Sequence, residues 1–378
     1  SVGAFFLAKV FSNLSKLLPQ ADGGPYAYTR HGFGDFAGFM VAWGYWISIW
    51  CANAAITVSL VSALSTFFPV LATSPVAAIA TGLSAIWLLT WINTRGIVTS
   101  GRLQLITTVL KIIPLLAVAI AGLFYIRLEN FIPFNSSHTS AFTAITATGT
   151  LAFYSFLGIE CATIPSGSVA NPEKTISRAT MLGTLIAILI YVLGSVSVMG
   201  MIPAKDLVNS VTPFADAAAM ISAGVAIAAF GALNGWILIQ GQVPFAVAKD
   251  KLFPAVFAKQ NKKSVPMGGI IIGSILVSIV MSMNYTRGLV EQFRFLILLS
   301  TLTVLVPYLF SSLAYITIRI QKKYFTGNWF QAVALAAIGF LYSLWAIAGA
   351  GQETVYWGFL LLMAGVPFYV WMIWKNKP

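Results

Sequence analysis

A chain of 378 residues with 58% hydrophobic side chains, only 8% charged ones and a mean hydropathy of +0.87 is excluded from the soluble globular class, where about a quarter of residues are charged. The formal charge of +12 does not point to nucleic acid either, because 20 of the 22 Lys and Arg residues are scattered over connectors and build no basic face or arm. The class left is an all-α polytopic membrane protein in which the bilayer is the partner.

A helix needs about 20 apolar residues to cross a hydrocarbon core of roughly 30 Å. Segments of that kind are predicted at 1–18, 37–70, 76–94, 103–126, 141–165, 178–203, 218–248, 266–284, 289–318, 328–350 and 355–374. The first has only eight residues before Lys9, so the chain is expected to begin inside a membrane segment, with at least half a helix upstream. Between the first two segments, Gly23 to Gly34 with Pro25 is expected to be a loop of tight turns. In the segment 103–126, Lys111 follows Arg102 by nine residues, about 13 Å along a helix and hence near the midplane. An ammonium there either pairs with carbonyls at a helix break or carries protons.

The segment 141–165 holds Glu160, the only carboxylate deep inside any of these apolar stretches. An acid at that depth costs several kcal/mol unless something keeps it there. Gly158 lies two residues before it and Pro165 five after it, a pattern that predicts a broken helix lining a cavity. The alternative is a structural acid that bonds the end of the broken helix.

Alternate connectors decide the orientation. One side carries 17 Lys and Arg residues, Lys375 and Lys377 among them, and the other only Arg127, Lys205 and Arg287. By the positive-inside rule the first side, with the C-terminus, is cytoplasmic. Cys51 and Cys161 fall inside membrane segments, and His31 and His138 stand apart in connectors, so neither a disulfide framework nor a metal-ligand spacing is present and no cofactor is implied. No nucleophile with its base, paired carboxylates, HExxH or phosphate-binding loop is visible, which argues against an enzyme.

Four separated stretches carry a resemblance. They are Gly23-Gly24-Pro25-Tyr26-Ala27-Tyr28, Asn171-Pro172-Glu173-Lys174-Thr175-Ile176-Ser177-Arg178-Ala179, Lys249-Asp250-Lys251-Leu252-Phe253-Pro254 and Val306-Pro307-Tyr308. In this order they resemble the amino acid, polyamine and organocation transporter superfamily, and within it the bacterial arginine/agmatine antiporter group. The resemblance runs from Ser1 to the last segment. It implies twelve helices, ten of them in two inverted repeats of five around a midplane site between broken helices. Residues 1–126 would be the remainder of the first repeat, 141–318 the second, and 328–374 two additional helices, all in one transmembrane domain. The first helix, with a Gly-Ser-Gly stretch that holds the substrate carboxylate and amine, would lie upstream of Ser1.

The resemblance assigns substrate contacts to Asn53, Tyr154, Gly158, Trp236 and Ser300, and gating or proton coupling to Glu160, Lys111, Tyr45 and Tyr308. Ring faces at Tyr154 and Trp236 attract guanidinium or ammonium groups. Without the resemblance, each aromatic reads as packing or an interface anchor, and Asn53 and Ser300 as bonds between helices. Two positions depart from the group: Tyr154 stands where it has a substrate-stacking Trp, and Ile49 where it has a Cys. Lys111 is a third, since some proton-coupled members of the superfamily place a Lys there in the position of a sodium ion. The implied function is secondary active exchange of a cationic amino acid for its decarboxylated amine or a polyamine, in a bacterial inner membrane, with protons as a further partner and a homodimer among the implied assemblies. A proton-coupled permease for neutral amino acids and a non-transporting membrane scaffold are the competing readings.

Overall fold

The structure, a computed structural model, describes residues 1–135, 139–203, 219–283, 289–323 and 328–376. Lys205, Arg287 and Lys377, which enter the charge count, and His138 lie outside them. The longer helices are α1 (Val2–Leu17), α2 (Pro25–Phe33), α3 (Asp35–Ser65), α4 (Pro75–Thr94), α5 (Ile97–Ala121), α6 (Ala141–Phe153), α7 (Pro172–Met201), α8 (Ala219–Lys249), α9 (Met267–Met283), α10 (Leu289–Gln321), α11 (Trp329–Ala348), α12 (Gln352–Met363) and α13 (Gly365–Lys375). No strand occurs among the described residues. Among the described residues, eight stretches are long and apolar enough to cross a membrane, and Met267–Ser282 is a shorter apolar helix.

Helices α3 and α10 form the centre. In each, 72% of the most apolar 18-residue window is buried, against 17–33% in the other six candidate spans, whose apolar faces turn outward as lipid requires. Lipid tails are as apolar as a leucine side chain, so association of such helices rests on close packing and on polar contacts between them. Gly269 of α9 shows the packing: a Cβ there would lie 2.8 Å from the Gly241 Cα of α8 and 2.9 Å from its carbonyl oxygen. The polar contacts include Ser300 Oγ of α10, which donates to the Ser48 carbonyl of α3 at 2.8 Å, and Ser12 of α1 against Ser177 of α7 at 2.7 Å.

One local expectation changes. The Gly23–Gly34 stretch is not a loop but the helix α2, flanked by glycines with positive φ, Gly24 at 55 and Gly34 at 88, while Gly32 lies within the helix. Pro25 opens the helix, where a missing N–H costs nothing, and Tyr26, Tyr28 and Thr29 are buried. Tyr26 donates to Asp250 Oδ2 at 2.6 Å, and Arg30 spans Asp35 at 2.7 Å and the same Asp250 oxygen at 2.6 Å. Burial, then the hydrogen bond and charge of Asp250, hold the Tyr26 phenol above its usual range, so it remains a donor through neutral pH. This cluster ties α2 and the start of α3 to the turn after α8. At the far end the expected segment 355–374 is one candidate span, Gln352–Lys375, in which α12 and α13 meet at Ala364.

The expected break in the 141–165 segment is present. Helix α6 is capped by Ser140, whose Oγ accepts from Thr143 N at 3.1 Å, and it stops at Phe153. Three single-turn 3-10 stretches follow, Tyr154–Phe156, Cys161–Thr163 and Ser166–Ser168, before α7 starts at Pro172. Because backbone approaches backbone at Gly269, Gly269→Val is expected to lower the unfolding free energy of the detergent-solubilised protein by about 1–3 kcal/mol. Gly183, with nothing within 4 Å of its would-be Cβ, serves as the control, and Gly183→Ala is expected to leave thermal stability undiminished.

Candidate functional site

The broken segment has two faces. Glu160 turns to one of them and is fully buried. Tyr45 of α3 donates its phenol to Glu160 Oε1, and Tyr308 of α10 donates to Oε2. Both phenols are fully buried, and the Tyr308 ring stands edge-on to Phe11 at 5.2 Å and Phe153 at 5.9 Å. One carboxyl thus joins the helix break to both central helices. Short contacts inside the break hold the acid in place: Thr163 Oγ1 donates to the Glu160 carbonyl at 2.6 Å and Cys161 N to the Gly158 carbonyl at 3.0 Å.

The other face lines a cavity of about 500 Å³. Tyr154, Gly158 and Cys161 come from the break, Trp236 from α8, and Gln104 and Lys111 from α5. Gly158 has φ 101, a left-handed backbone that side chains rarely adopt, and a Cβ there would meet Cys161 Sγ at 3.3 Å and the Trp236 ring at 3.4 Å. The glycine therefore permits both the turn and the approach of the indole. Tyr154 donates to the Ala52 carbonyl at 3.4 Å, so the phenol belongs to the cavity wall against α3. A volume of this size, mostly apolar with a few polar groups, suits a small organic ligand.

Of the nine residues singled out by the sequence, four line the cavity (Tyr154, Gly158, Trp236 and Lys111) and three form the neighbouring clamp (Tyr45, Glu160 and Tyr308). Asn53 and Ser300 are elsewhere. Asn53 Nδ2 donates to Gln240 Oε1 at 2.8 Å, and Gln240 Nε2 continues to the Ile270 carbonyl and to Ser274 Oγ, both at 2.9 Å. Ser274 meets Thr90 at 2.6 Å. Asn53 is thus one end of a polar chain through α3, α8, α9 and α4, with its Oδ1 buried and unpartnered, while Ser300 is a plain bond between α10 and α3. Gln104 was not singled out; its signal was a lone amide seven residues, two helical turns, before Lys111 and so on the same face. Among the described residues no group of three His, Cys, Asp or Glu could hold a metal ion.

A bundle of membrane-length helices, closed around a ligand-sized cavity at a helix break, defines a multi-pass integral membrane protein built to handle a small molecule inside the bilayer. The chain belongs to the amino acid permease family, whose model matches residues 1–373. It is 31% identical to the arginine/agmatine antiporter of Chlamydia trachomatis serovar L2, over 98% of this chain and 80% of that protein. It is 30% identical to the arginine/ornithine antiporter of Pseudomonas aeruginosa, over 97% of this chain and 80% of that protein. Among solved structures, the manganese transporter of Eremococcus coleocola aligns with 97% of this chain and 94% of its own, at 12% identity and a TM-score of 0.37.

Cys161 lies in the cavity wall, whereas Cys51 is fully buried. A small thiol reagent is therefore expected to label Cys161 alone, as read by mass spectrometry of the full-length protein in detergent. Equal labelling of Cys51, or none at Cys161, would contradict this placement of the cavity.

Proposed function

We propose that this chain transports amino acids across a membrane by alternating access, exchanging an amino acid of the cationic class, with arginine as the first substrate to test. The observation that carries this reading is the cavity at the helix break, whose lining includes the aromatic rings of Trp236 and Tyr154, groups that attract a guanidinium or ammonium ion. Membership of the permease family and likeness to two arginine antiporters support it. Residues 1–126 and 141–318 would be the two repeats whose rocking exposes the site to each side in turn. The membrane would be the bacterial inner membrane, with the C-terminus on the cytoplasmic side that carries most Lys and Arg residues.

The clamp supplies the gate in this reading. Glu160 joins the break to α3 and α10 only while both phenols find an acceptor, so a change in its protonation alters how the three elements are held. A permease for neutral amino acids is the second reading, favoured by Lys111, whose like charge lies in the cavity.

Full-length protein in proteoliposomes loaded with arginine is expected to take up labelled arginine, and empty vesicles are not. Uptake of similar size into both would sink the exchange reading, and displacement by neutral amino acids alone would favour the second one. Glu160→Gln keeps the shape but removes the ionisable group, and it is expected to flatten the pH dependence of exchange across the acidic to neutral range. An unaltered pH profile would remove Glu160 from proton coupling.

A further inference from the structure

Two basic segments meet at one end of α4. The helix stops at Thr94, whose carbonyl accepts from Asn261 Nδ2 of the α8–α9 connector at 3.0 Å. Asn261 also closes its own turn: its Oδ1 accepts from Lys263 N at 2.9 Å and Val265 N at 3.1 Å, and its N–H donates to the Val265 carbonyl at 3.0 Å. The connector is thereby pinned to the helix end. There the Lys263 stem crosses Gly96, where a Cβ would lie 3.5 Å from Lys263 Cδ. Arg95, Lys262 and Lys263, from two distant parts of the chain, thus share one exposed patch, and none of them forms an ion pair among the described residues.

The patch borders an apolar helix face. The Arg95 guanidinium lies over the Trp91 ring, 4.4 Å from its centroid. Trp91 is 54% exposed, and Trp87 and Leu88, one turn earlier on the same face, are exposed too. Because α4 is a candidate membrane span, this face meets lipid, and Trp91 in its last turn stands at the level where indoles border the headgroups. A guanidinium stacked by its face keeps its N–H groups at the rim, in the planar fork that matches two phosphate oxygens. The chemistry that fits is an anion joined to an apolar tail.

We propose that Arg95, Lys262 and Lys263 bind the headgroup phosphate of an anionic phospholipid, with Trp87, Leu88 and Trp91 against its acyl chain. Basic residues near a membrane attract anionic lipid wherever they stand, and scattered connectors share that attraction evenly. A preferred site needs cations held together, and the Asn261 turn does this by fastening one basic segment to the other. Like charges so gathered repel, and an anionic headgroup relieves the repulsion. A lipid held there joins the end of α4 to the α8–α9 connector from outside, as Asn261 does from within. The proposal needs the chain to span a bilayer and does not depend on which solute it carries.

The test is native mass spectrometry of the full-length protein in micelles that hold equal amounts of phosphatidylglycerol and phosphatidylcholine. The wild type is expected to retain phosphatidylglycerol in preference. Arg95→Gln/Lys262→Gln/Lys263→Gln is expected to bind it at least about tenfold more weakly. Lys16→Gln/Lys174→Gln/Lys323→Gln, which removes the same charge from exposed positions elsewhere, is expected to keep the wild-type preference. Equal loss in the two triple variants overturns the proposal, since net charge alone then attracts the lipid, and so does retention of both lipids alike by the wild type. Inorganic phosphate in large excess is expected to leave the lipid bound, and displacement by it marks a free-anion site and also overturns the proposal. Brominated acyl chains give a readout that needs no charge variant. Brominated phosphatidylglycerol is expected to quench Trp91, read as the difference between wild type and Trp91→Phe, more strongly than brominated phosphatidylcholine at equal content, and equal quenching overturns the proposal.

Discussion

Inside a bilayer no water satisfies a group that the protein leaves open, so every break in a helix and every buried charge must be answered by another part of the chain. The interaction on which this structure depends is the answer given to Glu160. Its two oxygens are bonded by Tyr45 and Tyr308, which stand on α3 and α10, the two most enclosed of the candidate spans. A broken segment between Phe153 and Pro172 has few backbone bonds of its own to hold it. The carboxyl replaces them with side-chain bonds that reach both central helices at once.

The same constraint explains how α8 is placed. Of its three amides, Asn234 and Gln240, two residues before and four after Trp236, are buried. Asn234 is bonded to Asn93 of α4 and to Gln104 of α5, and Gln240 to Asn53 of α3 and Ser274 of α9. Such bonds between membrane helices contribute on the order of 0.6 kcal/mol each, so their importance here lies in geometry more than in stability. Four helices fix the rotation of α8, and the indole between the two amides points at the break. Small residues complete the arrangement: Gly231 meets Thr107 and Gly241 meets Ile270 where larger side chains would hold α8 away.

Much of this could be read before the structure. Glu160, Gly158 and Pro165 mark the broken helix because a lone acid and a glycine are costly in a membrane span, and that cost is visible in one segment by itself. The cavity residues Tyr154, Trp236 and Lys111 come from three segments, and family resemblance brought them together where periodicity could not. What stayed hidden was pairing. Whether Asn53 faces the cavity or Gln240 depends on helix rotation, to which a nearly uniform apolar helix such as α3 gives no clue. Gly23 to Gly34 was misread for a related reason: its glycines suggest turns, but only at the ends are left-handed angles needed, and the residues between them form α2 against buried neighbours.

Gly158, Glu160 and Cys161 sit within four residues, yet they serve different surfaces. Gly158 and Cys161 belong to the cavity wall, with Cys161 Sγ also 3.8 Å from the Tyr45 hydroxyl, while Glu160 between them points to the phenols. A stretch this short, in 3-10 turns closed by bonds from Thr163 and Cys161, cannot change its outline on one face and keep it on the other. Gly158 lies against the Trp236 ring, and two residues on, Glu160 holds both phenols, so the turn is fixed from both sides. The cavity wall and the clamp thus share one short segment, with the bonded carboxyl on one side and the ligand-sized space on the other.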